Sequence, residues 1–160
     1  MKSLTSKEIN EKILDIQNKW ADYVINIGKA YLEKKNYIEL TNSFLDNLYN
    51  FSTGKVLFKP TKASTLQFRS HRKEFISYFI GHKKVSDEDV GFALEPWKNI
   101  KFENYKFISI NNLLISMGNY FFTNYNDEKV KVEYSFGYIL EEKEDDLKII
   151  FHHSSIPYKI

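Results

Sequence analysis

The 160-residue sequence contains no cysteine, only three prolines and six glycines, and no long apolar run. The absence of cysteine excludes disulfides, a thiolate nucleophile and any iron–sulfur or cysteine-bound zinc site. No segment approaches the roughly 20 apolar residues that a membrane-spanning helix needs. The first residues, MKSLTSKE, do not have the apolar region of a signal peptide. We therefore expect a cytoplasmic protein that does not insert into a membrane.

An excess of charge of one sign is also missing. The chain has 23 basic and 21 acidic residues, and lysine and glutamate are interleaved along it. Because proteins that bind nucleic acids carry a basic patch or stripe, we exclude DNA and RNA as primary ligands. At this length and with 42% hydrophobic residues, the chain is expected to form one domain over residues 1–160 with a sizeable core.

The first part of the chain has the spacing of helices. Apolar residues recur every three or four positions over residues 9–31, after a capping box that begins at Thr5. This pattern predicts a long amphipathic helix. Shorter elements follow: a helix over 37–49, a strand over 56–58 and a helix over 71–80.

From Trp97 onward, apolar and polar residues alternate instead, which is typical of strands. Short links, including an acidic turn over 141–146, predict an antiparallel meander, and Gly118 and Gly137 are candidate positions for its curvature. We therefore predict an α+β domain, shaped like a cone, in which the long helix covers the concave face of a curved antiparallel sheet. The predicted strands lie near 97–103, 105–110, 113–122, 129–140 and 146–154.

Two histidines and two serines stand together where the last strand should end. Residues 147–151 alternate between the two faces of the strand, with the apolar positions inward. If the alternation continues, His153 and Ser155 face the interior, whereas His152 and Ser154 face outward. A β-bulge would reverse this assignment. An inward histidine beside an inward serine is a candidate site, although buried histidines are more often ordinary core residues.

Three kinds of chemistry are compatible with these residues. A metal site would require His71 and His82 to converge with the C-terminal histidines, and no metal-binding motif is present. A serine hydrolase would require a Gly-x-Ser-x-Gly elbow, which is also absent. A cavity that holds a small polar molecule needs only the residues at hand. Thr61 and Tyr78 could reach such a cavity, although a turn role for Thr61 and a core role for Tyr78 remain open.

Six segments of the chain resemble the iota-class carbonic anhydrases. The resemblance spans roughly residues 15–158, and the C-terminal HHSSIP segment is its most specific part. The segments are 56–61 (VLFKPT), 77–79 (SYF), 91–97 (GFALEPW), 117–120 (MGNY), 130–134 (VKVEY) and 152–157 (HHSSIP).

The resemblance implies a cone fold like that of nuclear transport factor 2 and of the calmodulin-dependent kinase association domain, paired as a homodimer through its sheet. It also implies reversible hydration of carbon dioxide to bicarbonate. Some members are described as metal-free, whereas others are linked to zinc or manganese. Because the histidine geometry is poor for a metal, we expect no metal here, with zinc or manganese as the alternative.

Matched to the family, Thr61, Tyr78 and Ser155 are the expected substrate-binding residues. A neutral His153 is the expected general base, with an ionised Tyr78 as the other candidate, and these four residues form the expected catalytic set. The main alternative is a non-catalytic small-molecule-binding or dimerisation module of the same fold. An isomerase or dehydratase is a further alternative, which would need a carboxylate in a deep cavity, with Glu133 as the candidate.

Overall fold

The computed structural model describes residues 4–141 and 145–160. Helices come first and strands afterwards, as predicted, although the predicted acidic turn lies partly outside the described residues. Within the described ranges, no helix is long and apolar enough to cross a membrane. The elements are α1 (Ser6–Leu32), α2 (Tyr37–Leu48), β1 (Leu57–Lys59), α3 (Arg72–Ile80), a short 3₁₀ helix (Phe92–Leu94), β2 (Trp97–Ile110), β3 (Leu113–Asn124), β4 (Lys129–Glu141) and β5 (Asp146–Ser155).

Five strands form one sheet in the order β1-β5-β4-β3-β2. The last four strands form the predicted antiparallel meander, but β1 pairs in parallel with β5. The sheet is therefore mixed, whereas the sequence predicted an antiparallel sheet and left the partner of β1 unassigned. Parallel neighbours need a long crossover instead of a hairpin. Here α3 and the whole meander separate β1 from its partner along the chain.

A single long strand, β2, replaces the two short strands predicted over this segment. Its register with β3 shifts between Asn104 and Lys106, which leaves Tyr105 as an extra residue. Gly118 lies opposite this bulge, where an added Cβ would collide with the backbone of Glu103. A residue with a side chain would push the two strands apart, so the glycine allows the bulge to form.

Helix α1 covers the concave face of the sheet. It begins at the predicted capping box, in which the Thr5 hydroxyl accepts a hydrogen bond from the Glu8 backbone at 3.2 Å. Trp20 lies at the centre of this face and packs edge-on against aromatic rings from α2, α3 and β2. Truncating such a fully buried aromatic side chain costs about 3–5 kcal/mol. The apolar residues that α1 buries are Ile9, Ile13, Ile16, Trp20, Ala21, Val24 and Ile27.

Candidate active site

A β-bulge in β5 determines which histidine and serine face the interior. Gly137 pairs with Phe151, but the next residue of β4 pairs with Ile149, so the register skips Ile150. One extra residue exchanges the two faces of the strand beyond it. His152 and Ser154 are consequently buried, each 1% exposed.

The prediction that His153 and Ser155 face inward was therefore wrong. His153 is exposed and Ser155 is half-buried. The hydroxyl of Ser155 donates to the Glu133 carboxylate at 3.3 Å on the outer face of the sheet. Neither residue lines the interior cavity described next.

Thr61 and Tyr78 do meet the inward pair. Thr61 follows β1 directly after Pro60, and Tyr78 lies on α3 with only 4% of its surface exposed. Together with Tyr120 of β3, they line one small cavity with His152 and Ser154. The remaining walls are aromatic and comprise Trp20, Phe58, Phe79 and Phe92.

The cavity is very small, with about 10 Å³ accessible to the centre of a water-sized molecule. That is room for roughly one water. None of its lining residues carries a carboxylate, and Glu133, the candidate for an isomerase or dehydratase, lies on the outer face. The cavity therefore has no room for a large apolar substrate and no carboxylate that could act on one.

A chain of hydrogen bonds leads into this cavity through His152. Trp20 Nε1 donates to Tyr49 Oη at 2.9 Å, and Tyr49 Oη lies 3.0 Å from His152 Nδ1. On the other side of the imidazole, Nε2 lies 3.0 Å from Ser154 Oγ and 3.3 Å from Tyr120 Oη. The hydroxyls of Tyr120 and Ser154 are also hydrogen-bonded to each other.

Packing fixes the ring of His152 and keeps it neutral. The imidazole lies between two aromatic rings, with centroids 4.7 Å from Phe58 and 4.2 Å from Phe136. Burial, together with the charge of nearby His153, lowers the pKa of His152 well below its ordinary value of 6.5. At neutral pH the side chain is therefore an uncharged imidazole.

The two phenols of the cavity remain protonated. Burial raises the pKa of both Tyr78 and Tyr120 above the ordinary value of 10. A hydrogen bond from the backbone N–H of Lys62 to Tyr78 Oη, at 3.4 Å, and the nearby Thr61 hydroxyl oppose this rise only in part. An ionised Tyr78 is thus disfavoured as a base, and both hydroxyls can donate hydrogen bonds to a ligand.

A buried ion pair holds the helix that carries Tyr78. Arg69 forms two hydrogen bonds with the Asp89 carboxylate, at 2.7 and 2.8 Å, and both side chains are fully buried. Ser77 Oγ donates to the same carboxylate at 2.5 Å, and the Arg69 guanidinium lies 5.4 Å from the centre of the Tyr78 ring. The pair therefore joins the segment before α3 to the segment before the 3₁₀ helix, and Ser77 ties α3 itself to the same carboxylate.

Sequence reasoning missed several residues of the cavity. Tyr120 lies in the family-like MGNY segment, but nothing in the sequence distinguishes its phenol from the other aromatic residues of the sheet. The helical spacing over 9–31 and 37–49 predicts Trp20 and Tyr49 only as apolar residues of their helices, although Trp20 lines the cavity and Tyr49 is hydrogen-bonded to His152. Their role becomes visible only when the polar atoms of their rings are located in three dimensions.

The four histidines do not come together. His71 has 71% of its side chain exposed and contacts Glu74, while His152 and His153 lie on opposite faces of β5. Across the described residues 4–141 and 145–160, no group of three or more histidine, aspartate or glutamate side chains is arranged to hold a metal ion.

Comparison with known proteins gives consistent matches. Residues 11–156 match the family model described as metal-independent carbonic anhydrase. The chain is 32% identical over 160 residues to a metal-independent carbonic anhydrase from Nostoc sp., with 98% of this chain and 78% of that protein covered.

Two solved structures extend the comparison. The iota-carbonic anhydrase from a cyanobacterium, complexed with bicarbonate, matches with a TM-score of 0.89 and 30% identity, over 99% of this chain and 95% of that chain. A putative dehydratase of the NTF2-like family from Streptomyces avermitilis matches with a TM-score of 0.59 at 11% identity, over 97% and 100% of the two chains. The second match supports the fold alone.

These matches confirm the predicted α+β cone fold, the carbonic anhydrase activity and the prediction that no metal cofactor is needed. The non-catalytic module is correspondingly disfavoured. The chain belongs to the metal-independent carbonic anhydrase family and catalyses the reversible hydration of carbon dioxide.

Proposed function

We propose that carbon dioxide is hydrated in the cavity between α1, α3, β3 and β5. This proposal rests on one observation: four hydroxyl groups and a neutral imidazole lie together in one small cavity with aromatic walls. Thr61 and Tyr78 keep the substrate-binding roles that the sequence predicted. Ser154 and His152 occupy the interior positions that were expected for Ser155 and His153, and Tyr120 joins them.

The chemistry of the walls suits the substrate. Carbon dioxide is small and apolar, so aromatic side chains such as Phe58, Phe79 and Phe92 can surround it without losing hydrogen bonds. As the oxygen of water attacks the carbon, one C=O π bond breaks and its electron pair moves to oxygen. Hydroxyl donors already in place stabilise this growing negative charge. Loss of one proton from the attacking water then gives bicarbonate.

The route to solvent passes Thr61. Tyr78, Tyr120 and Ser154 are all at least 96% buried, whereas Thr61 is only partly buried. We infer that carbon dioxide enters and that bicarbonate and the proton leave at this edge of the cavity. The bicarbonate found with the cyanobacterial relative supports a small oxyanion as the bound product.

Replacement of Ser154 by alanine tests the cavity. Stopped-flow measurement of carbon dioxide hydration should show a fall in kcat of about 10²-fold, the usual effect of losing one donor to a developing oxyanion. Ser155→Ala, one residue away on the opposite face, is the matched control and should retain the rate of the wild type. Equal rates for wild type and Ser154→Ala, or a loss confined to Ser155→Ala, would reject the assignment.

The assembly and the location of the protein are further proposals. Apolar side chains form an exposed surface on the outer face of the sheet, beside a groove of about 470 Å³ lined in part by His153 and Ser155. We propose that two copies pair through this outer face as a homodimer, since an exposed apolar sheet face favours association. The exposed apolar residues of the outer face are Leu57, Ile108, Ile110, Met117 and Phe151.

Two further statements remain predictions. Residues 1–160 are expected to form one domain, and the protein is expected to be cytoplasmic.

A further inference from the structure

We propose that Trp20 and Tyr49 are positioning residues that fix the direction of the hydrogen-bond chain through His152, so that its Nε2–H donates towards the cavity. The proposal rests on the function proposed for that cavity. It assigns a role to two side chains that are not among the substrate-binding hydroxyls: Trp20, in the aromatic wall of the cavity, and Tyr49, which is hydrogen-bonded to the imidazole.

The direction of the chain is set at Trp20. An indole nitrogen can donate a hydrogen bond but cannot accept one. The 2.9 Å contact from Trp20 Nε1 therefore occupies a lone pair of Tyr49 Oη and leaves the single hydrogen of that hydroxyl free to donate. Among the described residues, the other hydrogen-bonding partner of Tyr49 Oη is His152 Nδ1, at 3.0 Å.

The opposite arrangement leaves a buried donor without an acceptor. If His152 Nδ1 carried the proton, Tyr49 Oη would accept two hydrogen bonds and its own hydrogen would point at no acceptor. Tyr49 is 1% exposed, so water cannot provide one at that position. A buried, unpaired donor lowers the population of the tautomer that contains it by a factor of roughly 5 to 150. The tautomer with the proton on Nε2 therefore predominates.

This tautomer determines what His152 contributes to the reaction. Its Nε2–H points to Ser154 Oγ at 3.0 Å and to Tyr120 Oη at 3.3 Å. Because Ser154 Oγ accepts from the imidazole, one of the two hydroxyl hydrogens of Ser154 and Tyr120 is left for the hydrogen bond between them, and the other is left to donate into the cavity. His152 thus acts as a hydrogen-bond donor within the oxyanion-binding chain and does not act as the general base predicted for the neighbouring histidine.

Packing prevents a rotation of the imidazole by half a turn, which would remove Nδ1 from its hydrogen bond with Tyr49. Phe58 and Phe136 cover its two faces, and the Trp20 ring meets its edge at a centroid distance of 5.7 Å and an angle of 87°. A flip of the ring would exchange Nδ1 for a carbon atom at Tyr49 Oη and break the hydrogen bond there. The orientation and the tautomer of His152 are therefore determined together.

The protonation of the ring nitrogens can be observed directly by ¹⁵N NMR on histidine-labelled wild-type protein at pH 7. His152 should show a protonated Nε2 and an unprotonated Nδ1, with the other histidine signals assigned from H71Q, H82Q and H153Q. A proton on Nδ1, or on both nitrogens, would overturn the proposal. This reading does not depend on activity, so it separates failure of the proposal from failure of the proposed function.

Tyr49→Phe then tests the positioning role, because it removes one oxygen and little volume. The fraction of the Nε2–H tautomer and kcat for hydration should both fall, kcat by about tenfold, while KM changes little. The matched control is Tyr138→Phe, since the Tyr138 hydroxyl is as buried but bonds Gln17 and Ser116, outside the cavity. An unchanged kcat in Tyr49→Phe, or an equal loss in Tyr138→Phe, would overturn the positioning role.

Discussion

The two histidines at the end of β5 are neighbours in sequence but lie in opposite environments. His152 is buried among aromatic rings, bonded on both nitrogens, and uncharged at neutral pH. His153 lies on the outer face, where partial burial and the nearby charge of Lys59 lower its pKa only moderately. The two pKa values differ because burial removes more water from His152 than from His153. The low pKa of His152 leads to a measurable dependence of the free energy of unfolding on pH.

The free energy of unfolding should fall as the pH falls below about 6.5. In the unfolded chain His152 takes up a proton near that pH, whereas in the folded protein its pKa lies far lower. Between the two values the unfolded state binds more protons, so acid favours unfolding by at most about 1.4 kcal/mol per pH unit from this group. Above pH 6.5 both states are neutral at this position and the contribution is flat.

Denaturant unfolding of His152→Gln and His153→Gln at pH 5, 6 and 7 measures this effect. The wild type should lose stability on acidification more steeply than His152→Gln does. His153→Gln, as the matched control, should retain most of the slope of the wild type. If all three proteins respond equally to pH, His152 is not the buried neutral histidine described above.

At the scale of secondary-structure elements, the β-bulge in β5 determines which side chains of that strand reach the cavity. The sequence predicted the helices and strands from their periodicity, and the family resemblance placed Thr61 and Tyr78 in the cavity. The sequence pattern could not predict the β5 bulge. Ile149, Ile150 and Phe151 are consecutive apolar residues, so the alternation of apolar and polar residues does not show that one of them is extra. The faces of all later residues were therefore assigned in reverse.

The parallel pairing of β1 escaped prediction for a related reason. Three residues, Leu57–Lys59, are too few to show which strand they pair with. Their partner in β5 comes about 90 residues later in the chain, and only the packing of α3 and the meander between them brings the two edges together. Local sequence patterns do not contain such long-range information.

The ion pair between Arg69 and Asp89 is an element-scale contact, because it joins the segment before α3 to the segment after it, and Ser77 of α3 donates to the same carboxylate. Asp89→Asn should destabilise the protein by about 3–5 kcal/mol, since it leaves the Arg69 guanidinium buried without its counter-charge. Asp87→Asn, an exposed position two residues earlier, should change the free energy of unfolding by less than about 0.5 kcal/mol. Guanidinium unfolding curves of both variants and the wild type give the comparison. Similar stability of the two variants would contradict the role of the pair.

At the scale of the whole molecule, the sheet has two faces with separate tasks. The concave face, covered by α1, encloses the cavity, and the outer face carries the exposed apolar surface proposed as the dimer interface. This separation explains why adjacent residues of β5 serve such different purposes. It also means that assembly can be disturbed without touching the cavity.

Met117→Glu should weaken the proposed dimer, because it places a charge in the middle of the apolar outer face, where Met117 is 50% exposed. Leu14→Glu is the matched control, at an apolar residue of α1 that is 40% exposed away from the sheet. Light scattering after gel filtration should give twice the 19.0 kDa chain mass for wild type and Leu14→Glu, and a lower mass for Met117→Glu. A wild type that runs as a monomer would contradict the dimer.

The most direct test of the central claim is stopped-flow carbon dioxide hydration by protein that has been treated with chelator and shown by elemental analysis to be free of metal. We expect this preparation to be fully active, and added zinc or manganese not to increase kcat. Activity that is lost on chelation and restored by either metal would contradict catalysis by the hydroxyl groups and imidazole of the cavity.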